Sequence, residues 1–245
     1  MQNVKYLKRI CFYVICGTAI YFLSGCASFT GKNEAAEVPV SENDVPYITG
    51  YQTPQNIGLL KQELKAYYYS GGYDKAMNQV GDAALEYLKS CKNMPGKLAI
   101  VLDIEEVALL TYPLVEEMDF SYDPVKYDRF IRSGRETVIQ STLKLVIQAQ
   151  KQGVSVIFLT GRKEEYREVT IANLKRTGYD NWTKIIMRPN DMKPVSVAEF
   201  KIKEREKIIK EGYRIILNLG DQYSDFQGGF YDKGFKYPNP FYYIP

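Results

Sequence analysis

The sequence contains no histidine among its 245 residues. This excludes Ser-His-Asp triads, phosphohistidine chemistry and most zinc sites. Three of the four cysteines, Cys11, Cys16 and Cys26, lie close to the N-terminus, and Cys91 stands alone beyond them. The rest of the chain therefore has no cysteine pair from which to build an internal disulfide.

The sequence also lacks a charge excess beyond its first 25 residues. The formal net charge is +3. Lys5, Lys8 and Arg9 account for it, since residues 1–25 contain no acidic side chain. Because the remainder is electrically balanced, we expect no basic surface and no nucleic-acid polymer as a partner.

The first 25 residues are typical of a targeting signal. The basic residues precede an apolar stretch, Ile10–Leu23, that is too short to span a bilayer comfortably. Leu23-Ser24-Gly25-Cys26 resembles a bacterial lipobox, in which cleavage before Cys26 leaves that thiol to carry lipid. An uncleaved signal anchor is the alternative. Ala27 gives no inner-membrane retention signal, so resemblance to other lipoproteins implies the bacterial cell envelope, anchored in the outer membrane and facing periplasm or surface.

Composition predicts three segments. Residues 1–25 form the signal peptide, residues 26–51 a flexible tether and residues 52–245 a domain. The tether prediction rests on Gly, Asn, Ser, Pro and scattered charges without apolar periodicity. The remainder is long enough for one well-cored domain.

Apolar periodicity beyond residue 56 predicts alternating helices and strands. The predicted helices are Ile57–Tyr69, Tyr73–Cys91, Glu136–Gln152, Lys163–Arg176 and Val197–Lys210. The predicted strands are Leu98–Leu102, Val154–Leu159, Lys184–Met187 and Tyr213–Leu219. Thr111–Ser133 is aromatic and acidic and shows no clear period. This order predicts an α/β fold, a parallel sheet with helices on both faces and a small helical N-terminal or cap region.

Polar clusters follow three of these strands. Asp103 ends the first strand, Thr160-Gly161-Arg162 follows the second, and Gly220-Asp221 follows the fourth. Because the carboxyl ends of parallel strands meet at one edge of a sheet, where open α/β proteins bind ligands, we expect these clusters to form one site.

The residues at this edge suit phosphoryl transfer to a protein carboxylate. Asp103 is the candidate nucleophile and a ligand for Mg²⁺, which prefers oxygen ligands. The Thr160 hydroxyl and the N–H of Gly161, which we expect to open the next helix, are candidate phosphate donors. Lys201 is the candidate cation for the phosphate charge, although the alternative is a solvated lysine on a charged helix.

Two aspartates after the fourth strand complete the candidate metal site. Asp221 follows Gly220, which permits a tight strand exit, and Asp225 lies four residues further on. Asp225 also fits a second role, as the cap of a turn.

Several flanking side chains have two interpretations each. Arg162 either contacts substrate or forms an ion pair at a helix start with Glu164 or Glu165. Three tyrosines either line a substrate entrance or pack in the interior: Tyr112, Tyr122 and Tyr127.

Four ordered motifs resemble those of the haloacid dehalogenase (HAD) superfamily: VLDIEEVALL, FLTGR, EFKIKER and GDQYSD. The closing EGYRIILNLGDQYSDFQGG and FKYPNPFYYIP are similar to its acid phosphatase branch, which includes class B and class C acid phosphatases and plant vegetative storage proteins. The resemblance runs from about Ile57 to the C-terminus. It implies a HAD-like, Rossmann-like fold for residues 52–245. It also implies a magnesium-dependent acid phosphatase that acts through an aspartyl-phosphate on small phosphomonoesters, such as nucleoside monophosphates or aryl phosphates.

The resemblance also implies roles for individual residues. Asp103 matches the nucleophile, and Asp221 matches an acidic magnesium ligand with Asp225 beside it. The phosphate-binding residues that it implies are Thr160, Gly161 and Lys201.

The first motif departs from the family pattern Asp-x-Asp-Glu-Thr at two positions. Glu105 replaces the acid/base aspartate, and Val107 replaces the threonine. The resemblance implies that the backbone carbonyl of Glu105 binds magnesium and that its carboxyl group protonates the leaving group. Because glutamate is one methylene longer, we expect an imperfect acid, and we expect Glu105→Asp to raise the rate, most of all for alkyl phosphates.

A second hypothesis is a catalytically weak or inactive relative, retained as a surface-anchored binding or storage lipoprotein. Glu105, Val107 and the storage proteins of the family favour it. Thr111, where many members have asparagine, is a further departure. The sequence specifies no oligomeric state.

Overall fold

A computed structural model describes residues 54–191 and 196–244. The predicted signal peptide, the tether and Cys26 lie outside these residues. Within the described ranges, no helix combines the length and the apolar character that crossing a membrane requires.

The described residues form seven α-helices. They are α1 (Ile57–Tyr69), α2 (Gly72–Ser90), α3 (Tyr112–Glu117), α4 (Pro124–Ser133), α5 (Gln140–Lys151), α6 (Arg167–Arg176) and α7 (Val197–Lys210). Side chains cap the starts of α1 and α7, where Asn56 accepts from the N–H of Gly58 and Ser196 from that of Glu199. Such caps satisfy N–H groups that have no partner inside the helix.

The same residues form seven strands. They are β1 (Lys97–Leu102), β2 (Leu109–Leu110), β3 (Thr137–Val138), β4 (Ser155–Lys163), β5 (Lys184–Arg188), β6 (Tyr213–Gly220) and β7 (Lys233–Lys236). Five of them make a parallel sheet in the order β5-β4-β1-β6-β7, and β2 pairs with β3 in a separate antiparallel ladder. The predicted parallel sheet is confirmed. The edge strand β7 was not predicted, because Phe235 is its only buried side chain.

The central strand β1 is buried on both faces. Ile100 and Leu102 pack in the larger core cluster, with side chains of α2 and α5. Ala99 and Val101 face the opposite way, into a second cluster that contains Phe200 and other side chains of α7. Burial of each large aliphatic side chain contributes about 1.5–3 kcal/mol. Helices therefore cover both faces of the sheet, as predicted, and this packing fixes the carboxyl ends of β1, β4 and β6 side by side.

Two helices begin later than the sequence pattern predicts. The predicted helix Glu136–Gln152 begins at Gln140, because the residues before it pair as β3 with β2. The predicted helix Lys163–Arg176 begins at Arg167, because β4 runs on and a short 3₁₀ turn follows it. Extended backbone thus occupies both helix starts predicted from the sequence.

The stretch without a clear sequence period contains α3 and α4. Pro124 opens α4, where its missing N–H leaves no hydrogen bond unmade. The Asp123 side chain accepts from the N–H groups of Val125 at 2.9 Å and Lys126 at 3.1 Å. Gly134 ends the helix with a φ of 59°. The helix packs against α6, and this segment supplies one wall of the site.

Candidate active site

The carboxyl ends of β1, β4 and β6 open into a cavity of about 800 Å³. Five of the predicted site residues line it: Asp103, Glu105, Gly161, Lys201 and Asp221. Thr160 and Asp225 are buried and bond to the Glu105 and Lys201 side chains, respectively. The structure therefore brings together the residues that the sequence places at three separate strand ends.

Asp103 directly follows β1. Its backbone N–H donates to the Leu219 carbonyl oxygen at 3.0 Å, which continues the pairing of β1 with β6. Its Oδ1 accepts from the Ile104 N–H at 2.7 Å, and its Oδ2 lies 2.8 Å from Lys201 Nζ. Burial raises the pKa of Asp103, Lys201 opposes that shift, and the charge of Asp225 adds to it. The carboxylate is thus held at the sheet edge by one ammonium group and one backbone N–H.

Lys201 reaches the site from α7 and is buried rather than solvated, with 3% exposure. Its ammonium pairs with Asp103 and Asp225. Burial lowers the pKa of Lys201, but the two carboxylates outweigh burial and raise it above its ordinary value. The site therefore contains a permanent positive charge beside the candidate nucleophile.

Three carboxylates surround that charge. Oxygens of Asp103, Asp221 and Asp225 all lie within 4.8 Å of one another. Burial and then the charge of Asp225 raise the pKa of Asp221 to about 8. Its Oδ2 accepts from Gln222 Nε2 and Asn239 Nδ2, each at 2.7 Å, whereas its Oδ1 is buried and has no hydrogen-bond partner among the described residues.

This donor set fits a divalent cation. Three buried carboxyl groups face one ammonium group, so the cluster would carry an excess of negative charge with all three ionised, which a bound cation would offset. A buried carboxylate oxygen without a partner is costly unless something satisfies it. An all-oxygen set without histidine or thiolate suits Mg²⁺ better than Zn²⁺.

Asp225 caps a turn, which is one of the two roles considered for it, and its carboxyl group also lies in the cluster of three carboxylates. Its Oδ2 accepts from the N–H groups of Asp221 at 3.0 Å and Gln222 at 2.9 Å, which caps the 3₁₀ turn Tyr223–Asp225. Its Oδ1 pairs with the Lys201 ammonium. The side chain folds beneath the end of β6, and a Cβ at Gly220 would lie 2.3 Å from Oδ2. Glycine at this position therefore makes room for a carboxylate.

Three donors hold the Glu105 carboxylate. Arg162 Nε donates to Oε1 at 2.7 Å, the Tyr127 hydroxyl donates to Oε1 at 3.2 Å, and the Thr160 hydroxyl donates to Oε2 at 2.9 Å. Burial disfavours ionisation of Glu105, but Arg162 and the hydrogen bonds outweigh burial and lower its pKa. The environment therefore favours a carboxylate at this position rather than the proton donor expected from the sequence.

Arg162 does not form the predicted ion pair with Glu164 or Glu165. Its guanidinium is buried and pairs with Glu105 and Glu136 instead. The cause is local structure, because Arg162 lies in extended backbone within β4 and its side chain turns into the interior. The sequence around Glu136 contains nothing that identifies a partner 26 residues away, so its pairing with Arg162 is not predictable from the sequence.

Gly161 lies inside β4 and not at the helix start predicted for it. The strand continues to Lys163, with a shift in its register against β5 after Thr160. A Cβ at Gly161 would lie 3.1 Å from Val197 Cγ1, so glycine permits close approach to α7. Gly161 still lines the cavity, but it has no helix dipole behind it.

The C-terminal segment closes another wall of the site, although none of the predicted site residues lies in it. Asn239 donates to Asp221, as described above. The Ile244 N–H donates to Gln222 Oε1 at 3.1 Å. Isolated polar groups in irregular backbone show no periodicity, so only the similarity of this segment to acid phosphatases indicated its importance.

Glu106 connects that segment to the turn after β1. It is fully buried and has a φ of 49°, which is unusual for a residue with a side chain. Its carboxyl group accepts from the Thr111 N–H at 2.8 Å and from the Tyr242 hydroxyl. Burial raises the pKa of Glu106 to about 7. These contacts fix the turn that presents Glu105.

The three tyrosines singled out in the sequence have different environments. Tyr112 is buried and stacks on Tyr68, with ring centroids 3.5 Å apart. Tyr122 and Tyr127 line the cavity. Tyr112 therefore packs in the interior, whereas Tyr122 and Tyr127 lie at the cavity.

Sequence comparison decides the family. Residues 33–245 match the HAD superfamily, subfamily IIIB (acid phosphatase). The chain belongs to this family. It is 34% identical over 186 residues to acid phosphatase 1 of Solanum lycopersicum, across 74% of this chain and 73% of that protein. It is also 32% identical over 149 residues to vegetative storage protein 1 of Arabidopsis thaliana, across 59% of this chain and 55% of that protein.

A solved structure shares the fold of this subfamily IIIB protein. The class C acid phosphatase from Bacillus anthracis has a TM-score of 0.62 and 23% sequence identity, and the match covers 76% of this chain and 86% of that one. The predictions of a HAD-like α/β fold, of the acid phosphatase family and of a phosphatase enzyme are confirmed.

Proposed function

We propose that this protein is a magnesium-dependent phosphomonoesterase that uses Asp103 as its nucleophile. The observation that carries the proposal is the position of Asp103, which lies at the cavity in a cluster of three buried carboxylates and pairs with Lys201. The family supports a small phosphoester as substrate. Nucleoside monophosphates and aryl phosphates are the classes that we propose.

The carboxylate cluster would hold the cation. Asp103 and Asp221 would bind it through their side chains and Glu105 through its backbone carbonyl, with Asp225 in support. A bound Mg²⁺ neutralises phosphate charge that would otherwise repel an anionic nucleophile.

Asp103 and Lys201 account for the first half of the reaction. A carboxylate oxygen of Asp103 attacks phosphorus, the bond between phosphorus and the ester oxygen breaks, and an aspartyl-phosphate forms. Lys201 keeps Asp103 in place and offsets the charge on the transferring group. Gly161 lines the cavity, and its N–H would donate to a phosphate oxygen.

Glu105 accounts for the second half. As a carboxylate, it accepts a proton from the water that attacks phosphorus, which releases orthophosphate and regenerates Asp103. The same ionised form is a poor proton donor to a leaving alkoxide. We therefore propose that aryl phosphates, whose leaving groups need little protonation, are better substrates than alkyl phosphates.

Metal removal tests the proposed function directly. We expect chelation with EDTA to lower the rate on a panel of aryl, alkyl and nucleoside phosphates about 100-fold, because the cation supplies several kcal/mol of charge stabilisation. Added Mg²⁺ should restore the rate. Full restoration by Zn²⁺ with no response to Mg²⁺ would contradict the proposal.

The contacts of Glu105 with Arg162 and Thr160 favour the opposite of the sequence-based expectation for Glu105→Asp. Aspartate is one methylene shorter and cannot reach Arg162 and Thr160 from the same backbone position. Since a misplacement of about 1 Å costs on the order of 100-fold, we expect kcat to fall about 10-fold to 100-fold on aryl and alkyl phosphates alike. The measurement is kcat with p-nitrophenyl phosphate and with an alkyl phosphate.

The matched control for this substitution is Glu117→Asp. Glu117 lies away from the cavity lining and pairs with Arg129 at 2.5 Å. Its substitution should leave kcat unchanged. A higher rate of Glu105→Asp on alkyl phosphates would restore the idea of glutamate as an imperfect acid.

A binding or storage role is the second candidate. The similarity to a vegetative storage protein favours it, and so does the Thr160 hydroxyl, which donates to Glu105 rather than to the cavity. Binding of Mg²⁺ and orthophosphate without turnover of any ester in the panel would support this candidate over the enzyme.

We also propose that lipid on Cys26 anchors the protein in the cell envelope, in the outer membrane facing periplasm or surface. The support is the lipobox-like Leu23-Ser24-Gly25-Cys26 after a basic and apolar signal. Cys26→Ser should abolish acylation and impair signal cleavage, as measured by labelled-lipid incorporation and mass. Cys91→Ser is the control and should leave localisation unchanged, and normal processing of the Cys26 variant would contradict the proposal.

A further inference from the structure

A buried ion pair lies behind the site, and the mechanism above does not use it. The side chains of Arg162 and Glu136 are 0% and 1% exposed. Two guanidinium nitrogens bond two carboxylate oxygens, Nη2 to Oε1 at 2.5 Å and Nη1 to Oε2 at 3.2 Å. A two-point pair of this kind fixes the plane of the guanidinium as well as its position.

Further contacts hold the far side of the pair. Asn173 Nδ2 donates to Glu136 Oε2 at 2.9 Å, and Arg162 Nη1 donates to the Thr170 hydroxyl at 3.1 Å. Thr170 and Asn173 both belong to α6. The guanidinium is therefore fixed from one side, and its remaining nitrogen, Nε, points to Glu105 Oε1 at 2.7 Å.

The position of Arg162 in this ion pair suits the length of a glutamate side chain at position 105. Glu105 is partly open to the cavity, whereas Arg162 and Glu136 are closed off from solvent. An aspartate at position 105 would end one methylene short of Nε. Lysine at position 162 would lack the fork that bonds Glu136 and Glu105 together.

We propose that Arg162 and Glu136 are positioning residues for Glu105. They place its carboxylate for the water attack on the aspartyl-phosphate, and they adapt this site to glutamate where the family pattern has aspartate. This inference rests on the proposed function. Neither residue needs to touch substrate in order to act, since each acts through Glu105.

A double-mutant cycle separates positioning from a purely structural role. Arg162→Lys and Glu136→Gln are each measured in the wild-type background and in Glu105→Ala, with full-length protein and Mg²⁺. Because only the water attack is slowed, we expect each to lower kcat and KM together, about 30-fold with Glu105 present, while kcat/KM changes less than about 3-fold. In Glu105→Ala, the same substitutions should change kcat less than about 3-fold, because the group on which they act is gone.

A second readout follows the intermediate. With p-nitrophenyl phosphate, the first step needs little help from an acid, so slower water attack should raise the trapped fraction of aspartyl-phosphate in both variants. Arg214→Lys is the matched control, since its Nε also bonds a carboxylate, Asp232 Oδ2 at 2.8 Å, away from the cavity. It should change neither kcat nor the trapped fraction.

The outcomes are distinct. Equal losses of kcat in both backgrounds, or losses without accumulation of aspartyl-phosphate, would overturn the inference and leave the proposed function standing. If thermal unfolding shows that Arg162→Lys does not fold, the kcat values of Glu136→Gln test the positioning role instead. Glutamine keeps the side-chain volume of glutamate and can still form hydrogen bonds. A wild-type protein without turnover would overturn the proposed function and this inference with it.

Discussion

Asp103→Asn is expected to lower kcat for phosphate-ester hydrolysis about 10,000-fold or more. Asparagine keeps the shape of the side chain, but its amide is not a nucleophile and carries no charge for Lys201 or a cation. The fold should persist, since the substitution changes no buried volume. The measurement is the initial rate on p-nitrophenyl phosphate with Mg²⁺, together with a thermal unfolding curve.

Asp119→Asn is the control for that experiment. Asp119 is also paired with a lysine, Lys61 at 2.6 Å, but its side chain is 68% exposed. Its substitution should leave the rate unchanged. If Asp103→Asn retained more than a tenth of the wild-type rate, another group would have to be the nucleophile.

Lys201→Met is expected to lower kcat about 1,000-fold, because it removes the ammonium that offsets phosphate charge in a buried site. It should also lower the free energy of unfolding by about 3–5 kcal/mol, since removal of one partner leaves buried carboxylates uncompensated. Both values come from one protein sample, through initial rates and urea denaturation.

Lys203→Met separates these effects from a general effect on α7. Lys203 lies on the same helix, is about half exposed and pairs with Glu199 at 2.8 Å. It should change neither quantity by a measurable amount. A Lys201 variant with wild-type stability and strongly reduced activity would show that Asp103 and Asp225 do not depend on it in the resting fold.

The sequence predicts most of the helices and strands of this molecule well, because apolar residues recur at the spacing of each buried face. The bounds of α1 and α7 agree with the apolar pattern, and the unbroken apolar run before Asp103 predicts a strand buried on both faces. Since parallel strands end at one edge, the meeting of Asp103 with Asp221 follows from strand order alone.

The same pattern contains no information on which polar groups bond to each other. In the sequence, nothing distinguishes Arg162 from any other charged residue that follows a strand. Its side chain reaches Glu136 in the interior because Arg162 lies in the extended backbone of β4. The role of Glu105 changes for the same reason, because its donors, Thr160 and Arg162 in β4 and Tyr127 in α4, lie 22 to 57 residues away along the chain. Periodicity specifies the buried face of an element and not its distant hydrogen-bond partner.

Gly220 shows how a position without any side chain can be as restricted as the nucleophile. Its absent Cβ leaves the space into which the Asp225 carboxylate folds. Every substitution fills that space, including alanine, so the tolerance of this position to mutation is set by geometry alone. In a mutational map of the protein, Gly220 would stand beside Asp103 and Lys201, although it carries no charge, donates no proton and touches no substrate.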